Sequence, residues 1–288
     1  QIEKAVELLA SAKRPIIYAG GGIINSGPEA SKLLGELVHL TGYPCTTTLM
    51  ALGAFPAADK QWVGMPGMHG TYEANLAMHG CDAMLNVGAR FDDRVTGRLN
   101  AFSQGSTKIH IDIDSSSINK NVRVDVPIVA DAGKALAALI EAWKADDTKA
   151  DSQALATWWR QIDQWRARDS LHFDQDMKPG SVIKPQYAIQ RLYELAMKRG
   201  KEVFVTTEVG QHQMWAAQHF KFDKPNHWMT SGGLGTMGYG LPAAMGVQIA
   251  HPDALVIDIA GEASTLMNIQ EMGTLAQYRL PVRSEEHT

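Results

Sequence analysis

Cysteine, basic clusters and long apolar runs are scarce in this sequence of 288 residues. Its 2 cysteines, Cys45 and Cys81, lie far apart without the close spacing of metal ligands, which favours a reducing, cytoplasmic setting. The net charge of −4 includes no basic run, so we expect no nucleic-acid partner. No apolar stretch reaches membrane-spanning length and the first residues do not resemble a signal peptide, so we expect no membrane association.

Both ends of the sequence are unusual. The chain opens with "QIEKAVELLASAKRP", which lies inside an amphipathic helix and has no initiator Met, and this favours a truncated start. After "YRLPV" it closes with the polar run "RSEEHT" at 283–288, where we expect no strand. One reading frame of a common sequencing adapter encodes the same run, so we interpret it as an artefact rather than native protein.

Short apolar runs alternate with longer helical stretches along most of the chain. In the first half the runs are "PIIYAG", "PCTTTL", "DAMLNVG" and "KIHIDID", each bounded by Gly, Pro or Asp. This alternation predicts an α/β fold with two doubly wound parallel-sheet domains. We place the first domain at 1–145, a linker with a helix at 146–180, and the second domain at 181–288. Trp158, Trp159 and Trp165 in the linker helix have the spacing of a packing stripe.

The second half repeats the pattern. It predicts strands at "EVFVTT", "HWMTS" and "ALVIDIA", with helices at 184–199, 211–219, 237–250 and 266–278. Because ligands of open α/β sheets lie at the carboxyl ends of the strands, the loops after these strands are the candidate site.

Three loops in the second half carry residues suited to a diphosphate and a metal ion. "TTEVGQHQMW" places Gly210, Gln211 and His212 at a helix start, which suits a phosphate group or, equally, a capped helix with a surface histidine. "SGGLGTMGYGLPAAMG" has more glycines than a loop needs and presents Met237, which by itself favours a core position. "GEAS" offers the Glu262 carboxylate to Mg²⁺ or, alternatively, to a helix N-terminus. Together the three loops favour a bound diphosphate.

These loops resemble the diphosphate-binding domain of thiamine diphosphate enzymes, and most closely that of the acetolactate synthase catalytic subunit, also called acetohydroxyacid synthase. The resemblance implies that Met237 is the apolar wedge that bends the thiamine, and that Glu262 binds Mg²⁺ where the family has Asp. The longer side chain predicts weaker Mg²⁺ binding. The implied thiamine diphosphate contacts are Val209, Gly210, Gln211, His212, Gly235, Met237, Gly261, Ala263 and Ser264.

Two runs in the first half, "GMHGTYEANLA" and "GARFDDRVTGR", resemble the FAD-binding middle domain of the same family. Without the resemblance, "AGGGIINSG" is a weak nucleotide motif because Asn25 occupies the third glycine position. The resemblance implies two catalytic residues, Met237 and Arg94, of which Arg94 binds the acceptor carboxylate, with Met68 and Asp93 near the substrate. The implied FAD contacts are Gly21, Gly22, Leu49, Met50, Met68, His69, Gly88, Arg90, Asp92, Arg94, Val95, Asp112, Ile113 and Asp131.

The activity implied by the resemblance is a transferase reaction of branched-chain amino acid biosynthesis, the decarboxylating condensation of pyruvate with pyruvate or 2-ketobutyrate. Its implied cofactors are thiamine diphosphate, Mg²⁺ and structural FAD, in a homodimer or homotetramer with a possible small regulatory subunit. The family takes its cofactor-activating Glu from an N-terminal domain, so we expect this chain alone to be inactive. Two alternatives stay open: another carboligase or a pyruvate oxidase, and a nucleotide-binding fragment without catalysis.

Overall fold

The computed structural model describes residues 1–145 and 150–286, and these form two compact units. The first unit contains Gln1–Leu171 with Asp223–Pro225, and the second contains the other described residues from His172 onward. Each unit is built on a parallel sheet with helices, so the predicted fold class is confirmed. Residues 146–149 of the predicted linker and residues 287–288 of the predicted artefact lie outside the described residues.

The first unit has a five-stranded parallel sheet with the order β2-β1-β3-β4-β5. Strands β1 and β3 are buried along their whole length, as expected for a parallel sheet that is covered on both faces. The strands are β1 (Pro15–Ala19), β2 (Cys45–Thr47), β3 (Ala83–Val87), β4 (Thr107–Asp112) and β5 (Val126–Val129).

Helices cover both faces of this sheet. One face carries Ile17, Leu85 and Ile109 and packs against α1, α3 and α6, whereas the other carries Ile16 and Met84 and packs against α4 and α7. The helices are α1 (Ile2–Ser11), α2 (Gly21–Asn25), α3 (Pro28–Thr41), α4 (Tyr72–Gly80), α5 (Asp93–Thr96), α6 (Ala132–Ala145) and α7 (Ser152–Arg166), with 3-10 turns at Leu49–Ala51, Leu99–Ala101 and Ser115–Ser117.

Helix α7, which lies in the predicted linker, packs as part of the first unit. Asp151 caps its start by accepting hydrogen bonds from the amides of Gln153 and Ala154. The Trp158 indole is buried and donates to the Pro15 carbonyl at 3.0 Å, and Trp159 and Trp165 pack around the same cluster. The predicted tryptophan packing stripe is therefore confirmed.

The second unit has a four-stranded parallel sheet with the order β7-β6-β8-β9. The strands are β6 (Val203–Thr207), β7 (Trp228–Thr230), β8 (Leu255–Ala260) and β9 (Arg283–Glu286), and the helices are α8 (Pro185–Met197), α9 (Gln211–His219), α10 (Gly240–Ala250), α11 (Glu262–Met267) and α12 (Glu271–Tyr278). Because all four strands run the same way, their carboxyl ends lie at one edge of the sheet.

Three local predictions for the second unit were wrong. The predicted helix 266–278 is two helices, α11 and α12, and the predicted helix 237–250 begins only at Gly240. The polar tail forms β9 beside β8, although we predicted no strand there. Main-chain hydrogen bonds hold a strand at a sheet edge whatever its side chains are, and charged side chains are common on edge strands.

Candidate functional site

The loops after β6 and β8 meet at the buried imidazole of His212. A β-carbon added to Gly261 would lie 2.9 Å from Nδ1 of His212, and one added to Gly210 would lie 2.7 Å from its Cε1. The Ser264 hydroxyl, which is buried, donates to the Val209 carbonyl at 3.2 Å. Glycine at positions 210 and 261 thus lets the two loops close on the same ring.

The start of α9 is suited to an anion. Gly210 is its N-cap and has no side chain that could accept from the first amides of the helix. Gln211 is exposed at this start, whereas His212 is buried against the neighbouring loop. Free amides at a helix N-terminus and the positive end of the helix dipole favour a phosphate group.

The glycine-rich loop after β7 reaches the same place. A β-carbon on Gly235 would lie 3.8 Å from Cγ1 of Val209, so this loop touches the loop after β6. Met237 is 39% exposed, and Gly238 directly after it donates its amide to the Glu208 carboxylate at 2.6 Å. Three strand ends that the sequence placed at one edge are therefore brought into contact around Val209 and His212.

Glu262 is an exposed single carboxylate at the first position of α11. Among the residues that the structure describes, no three His, Cys, Asp or Glu side chains group in a way that could hold a metal ion. Mg²⁺ commonly takes one or two protein carboxylates and completes its shell with phosphate and water oxygens. The donor set therefore suits Mg²⁺ that arrives with a diphosphate and does not suit a metal held by protein alone.

Three residues of the second unit that the sequence did not assign to the site hold its loops. Glu208 is fully buried and accepts from the Leu241 amide at 3.1 Å in addition to Gly238, and the Asn268 amide donates to the Gly238 carbonyl at 2.5 Å. Asp258 is 1% exposed in β8 and accepts from the Thr206 hydroxyl at 3.1 Å. The signal available in the sequence was a carboxylate inside or directly after each of two apolar strands.

Burial, together with the neighbouring charge of Glu208, raises the pKa of the Asp258 carboxyl to about 7. Hydrogen bonds from the hydroxyls of Thr206 and Ser284 oppose the increase. Two carboxyl groups thus lie beneath the glycine-rich loop, and the protonation of one depends on the charge of the other.

In the first unit, the loops after β1, β2 and β3 also pack closely. The amide of Gly22 donates to the Gly88 carbonyl at 3.0 Å, and a β-carbon on Gly22 would lie 2.7 Å from the Gly88 Cα. A β-carbon on Gly21 would lie 3.1 Å from that of Met50, which follows Leu49 after β2. Met50 is 42% exposed at this edge and offers an apolar surface of the kind that a flat ring system covers.

The two runs that resemble the FAD-binding domain are joined by main-chain hydrogen bonds. The Met68 amide donates to the Arg94 carbonyl at 2.8 Å, and a β-carbon on Gly67 would lie 2.4 Å from that same oxygen. Asp92 caps α5 by accepting from the Arg94 amide at 3.0 Å, while the side chains of Asp93 and Arg94 are exposed. The other predicted residues in these runs are His69, Gly88, Arg90 and Val95.

Asn75, which the sequence did not single out, fixes the Met68 loop from α4. Its Oδ1 accepts from the Gly67 amide at 2.7 Å, and its Nδ2 donates to the Gly67 carbonyl at 2.9 Å. Both hydrogen-bonding groups of residue 67 are thereby held by one side chain, so Met68 is presented from a fixed backbone although it is 66% exposed.

Two carboxylates of the predicted FAD set, Asp112 and Asp131, lie at the end of β4 and after β5. Asp112 accepts from the Asp114 amide at 2.9 Å, and the adjacent Ile113 is 72% exposed. Both oxygens of Asp131 accept from the Ser26 hydroxyl, at 2.9 and 2.8 Å, and these bonds lower the pKa of its carboxyl. The predicted FAD residues thus come from the carboxyl ends of all five strands of this sheet, and their binding role stays a prediction.

A pocket of about 260 Å³ in the first unit lies beside α4 and α5. Val95 is the one member of its lining that belongs to the predicted FAD set. The pocket is lined by Pro66, Asn75, Met78, His79, Val95, Thr96, Arg98, Ala101 and Phe102. In the described part of the chain, no helix is long and apolar enough to cross a membrane.

Comparison with known proteins gives matches to both units. The model for the thiamine pyrophosphate enzyme central domain matches residues 2–139, and the model for the C-terminal TPP binding domain of the same enzymes matches residues 208–284. The chain is 47% identical over 282 residues to the acetolactate synthase isozyme 3 large subunit of Escherichia coli, covering 98% of this chain and 48% of that protein. It is 46% identical over 282 residues to the acetolactate synthase large subunit of Haemophilus influenzae, again covering 98% and 48%. It is 44% identical over 285 residues to the chloroplastic acetolactate synthase 3 of Brassica napus, covering 98% and 42%. The chain thus spans about half the length of these curated relatives.

Proposed function

Because the chain belongs to the thiamine pyrophosphate enzyme family, with the acetolactate synthase large subunits among its relatives, we propose that it forms the FAD- and thiamine diphosphate-binding part of an acetolactate synthase. The proposed reaction joins two 2-ketoacids. The bond between the carboxylate and the carbonyl carbon of a donor pyruvate breaks, CO₂ leaves, and a new carbon–carbon bond forms to the carbonyl of pyruvate or 2-ketobutyrate, whose oxygen takes up a proton.

One observation carries this proposal: three loops from three neighbouring strands converge on Val209 and His212. The N-cap residue Gly210 places no side chain over the start of α9, so a diphosphate can approach the first amides of this helix. Thiamine diphosphate supplies an electron sink for the decarboxylation when it is bound. Glu262 would contribute one carboxylate to the Mg²⁺ that accompanies the diphosphate, and the exposed side of Met237 would support the thiamine rings.

The first unit would orient the acceptor substrate and hold FAD. The Arg94 backbone is fixed by hydrogen bonds with Asp92 and Met68, and its guanidinium is exposed. This positive charge, on a fixed backbone, is suited to bind a ketoacid carboxylate. The exposed apolar side chains of Met50 and Ile113 at the strand ends suit a flavin ring. Because the condensation involves no net oxidation or reduction, we assign FAD a structural role.

Binding measurements on the chain itself test the cofactor assignments. Calorimetric titration with thiamine diphosphate should show binding that requires Mg²⁺, and FAD should bind in a separate titration without it. A Gly261→Val variant should lose the first interaction and keep the second, because its side chain would meet the His212 ring. Absence of both interactions in the unaltered chain would contradict the proposal.

The activity is tested in a chimeric large subunit in which residues 1–282 replace the matched segment of the Escherichia coli relative. We expect acetolactate from pyruvate without redox cycling of FAD, and a large loss of activity in Arg94→Ala. Reduction of FAD during turnover would favour a pyruvate oxidase instead. We expect the 288-residue chain alone to give no acetolactate with both cofactors present, and product from it would contradict that expectation.

The proposed assembly is a homodimer or homotetramer that a small regulatory subunit can join. The relatives are named large subunits, and α11, α12 and the segment between them expose a group of apolar side chains that another subunit could cover. These side chains are Leu266, Met267, Ile269 and Met272. Light scattering of the chimeric subunit, with Leu266→Glu and Met272→Glu as variants, tests the assembly. If the variants keep the molar mass of the unaltered assembly, this face is not part of the subunit interface.

We further propose a cytoplasmic location for the enzyme. Cys45 and Cys81 are buried free thiols, which suits a reducing compartment. Fractionation of cells that express the protein tests the location, and recovery in an oxidising compartment would contradict it.

A further inference from the structure

Gly238, the residue that follows Met237, is held through both of its peptide groups. Its amide, in the peptide group shared with Met237, donates to Oε2 of Glu208 at 2.6 Å, and its carbonyl, in the next peptide group, accepts from Nδ2 of Asn268 at 2.5 Å. Glu208 directly follows β6, and Asn268 lies between α11 and α12, so two separate elements hold one residue of the glycine-rich loop. Gly238 has a φ of +89°, a conformation that L side chains rarely adopt.

Glu208 is itself fixed by the surrounding backbone. Its amide donates to the Ile259 carbonyl at 3.1 Å, and its Oε1 accepts from the Leu241 amide at the start of α10 at 3.1 Å. A β-carbon on Gly240 would lie 2.7 Å from the Glu208 nitrogen, which shows how closely α10 approaches the end of β6. A fully buried carboxylate with two main-chain donors at a helix N-terminus has little freedom to move.

We call the pair Glu208 and Asn268, which hold Gly238, the clamp. The part of the glycine-rich loop that precedes Gly238 is open to solvent. Leu234 is 92% exposed, and residues 233–237 are all exposed. Because the Gly238 amide lies in the peptide group shared with Met237, rotation of that peptide group would change the direction of the Met237 side chain. The Glu208 bond to this amide opposes the rotation directly, and the Asn268 bond to the Gly238 carbonyl holds the peptide group that follows.

We propose that Glu208 and Asn268 are positioning residues that hold the Met237 side chain against the ring portion of the bound thiamine diphosphate. This inference rests on the proposed function, because it takes Met237 to be the apolar support of the cofactor. The diphosphate portion binds elsewhere, at the start of α9. The clamp should therefore affect the affinity for the rings and leave the affinity for pyrophosphate unchanged.

The test compares two ligands on four forms of the chain. Calorimetry measures the binding of thiamine diphosphate and of inorganic pyrophosphate, both with Mg²⁺, to the unaltered chain, Glu208→Gln, Asn268→Asp and the control Glu202→Gln. Gln at position 208 keeps the size of the side chain but must turn its NH₂ group towards one of the two amide donors. We expect about tenfold weaker binding of thiamine diphosphate in the first two variants, with unchanged pyrophosphate binding and an unchanged control.

A double-mutant cycle with Met237→Ala separates positioning from general stability. If Glu208 acts through Met237, then Glu208→Gln should change thiamine diphosphate affinity by less than about twofold once Met237 is Ala. Equal losses for both ligands, an undiminished effect in the Met237→Ala background, or unchanged affinity in Glu208→Gln would each overturn the inference. Failure of the unaltered chain to bind thiamine diphosphate would instead refute the proposed function.

Amide exchange of the ligand-free chain tests the clamp without any cofactor. In Glu208→Gln, the amide of either Gly238 or Leu241, whichever loses its acceptor, should exchange at least about tenfold faster than in the unaltered chain. The amides of β1 and β3 in the first unit serve as the internal reference. Unchanged exchange at both positions would overturn the clamp, whatever the ligand measurements give.

Discussion

Replacing Asp258 by Asn is expected to remove a pH dependence from the stability of the second unit. Asp258 is 1% exposed in β8, and burial together with the Glu208 charge raises the pKa of its carboxyl from 3.8 to about 7. The folded chain therefore holds a proton at Asp258 between pH 3.8 and about 7, where the unfolded chain has released it. The stabilisation from this proton is complete below pH 3.8 and is lost as the pH rises through about 7.

The size of the effect follows from the two pKa values. At about 1.36 kcal/mol for each unit of pKa, the rise from 3.8 to about 7 corresponds to about 4 kcal/mol between the two ends of this pH range. Asn at this position keeps an oxygen that can accept from the Thr206 hydroxyl, and it does not titrate. If the added NH₂ group lowers the free energy of unfolding, it does so equally at every pH. The loss of the titrating carboxyl is therefore seen as a change in the pH dependence of that free energy.

The assay is denaturant-dependent hydrogen exchange of the β6 and β8 amides at several pH values from 4 to 8, which reports on the second unit separately from the first. The free energy of unfolding of Asp258→Asn minus that of the unaltered chain should become more positive by up to about 4 kcal/mol from pH 4 to pH 8. Asp253→Asn, an exposed change just before the same strand, is the control and should follow the unaltered chain. Parallel pH curves for Asp258→Asn and the unaltered chain would refute the reasoning.

Three further changes have clear expected outcomes. Gly240→Ala should lower the free energy of unfolding of the second unit by about 2–4 kcal/mol, because its β-carbon would lie 2.3 Å from Oδ1 of Asp258, and thermal or urea unfolding measures this. Asn75→Ala should accelerate amide exchange at Gly67 and lower stability by about 1–3 kcal/mol, because both bonds to residue 67 are lost. Glu262→Asp should strengthen Mg²⁺-dependent binding of thiamine diphosphate in calorimetric titration, because a shorter carboxylate restores the side chain that the family has there.

Each of these changes has a contrasting control. Gly246→Ala lies in the same helix as position 240 with no atom within 4 Å, so it should stabilise the second unit by up to about 1 kcal/mol, and equal effects at both glycines would contradict the steric argument. Asn100→Ala changes an exposed side chain and should leave the Gly67 amide unaffected. Glu271→Asp, a change of a half-buried side chain in α12, should leave Mg²⁺ affinity unchanged. Equal affinity in the unaltered chain and in Glu262→Asp would contradict the metal hypothesis.

Helix and strand positions were predictable where local chemistry marks the ends. Helix α3 (Pro28–Thr41) begins at a proline, which suits the first turn, and is followed by Gly42 with a φ of +74°, so local residues mark both of its ends. Helix α9 was predicted at 211–219 and lies at Gln211–His219. The break between α11 and α12 at 268–270 has no Gly or Pro to mark it, so the apolar spacing of residues 266–278 looked continuous.

The loops of the candidate site were predictable because parallel strands place their carboxyl ends together. Gly210, Gly261 and Met237 stand in such loops, and the structure brings those loops into contact. The roles of Glu208 and Asn268 were not predictable, because each acts on Gly238 across 30 residues of sequence. No periodicity or motif encodes a contact of that separation.

By itself, the sequence determined the alternation of strands and helices, the parallel sheets, and the edge at which glycines and charged side chains collect. Those features follow from local spacing, because a residue's position along a strand or helix fixes the face and the end at which it lies. Only the tertiary structure decided which carboxylates are buried beneath the glycine-rich loop, which amides they hold, and that a polar tail pairs as a strand. Burial, and hydrogen bonding between distant segments, depend on how the completed sheet and helices pack, which local spacing does not specify.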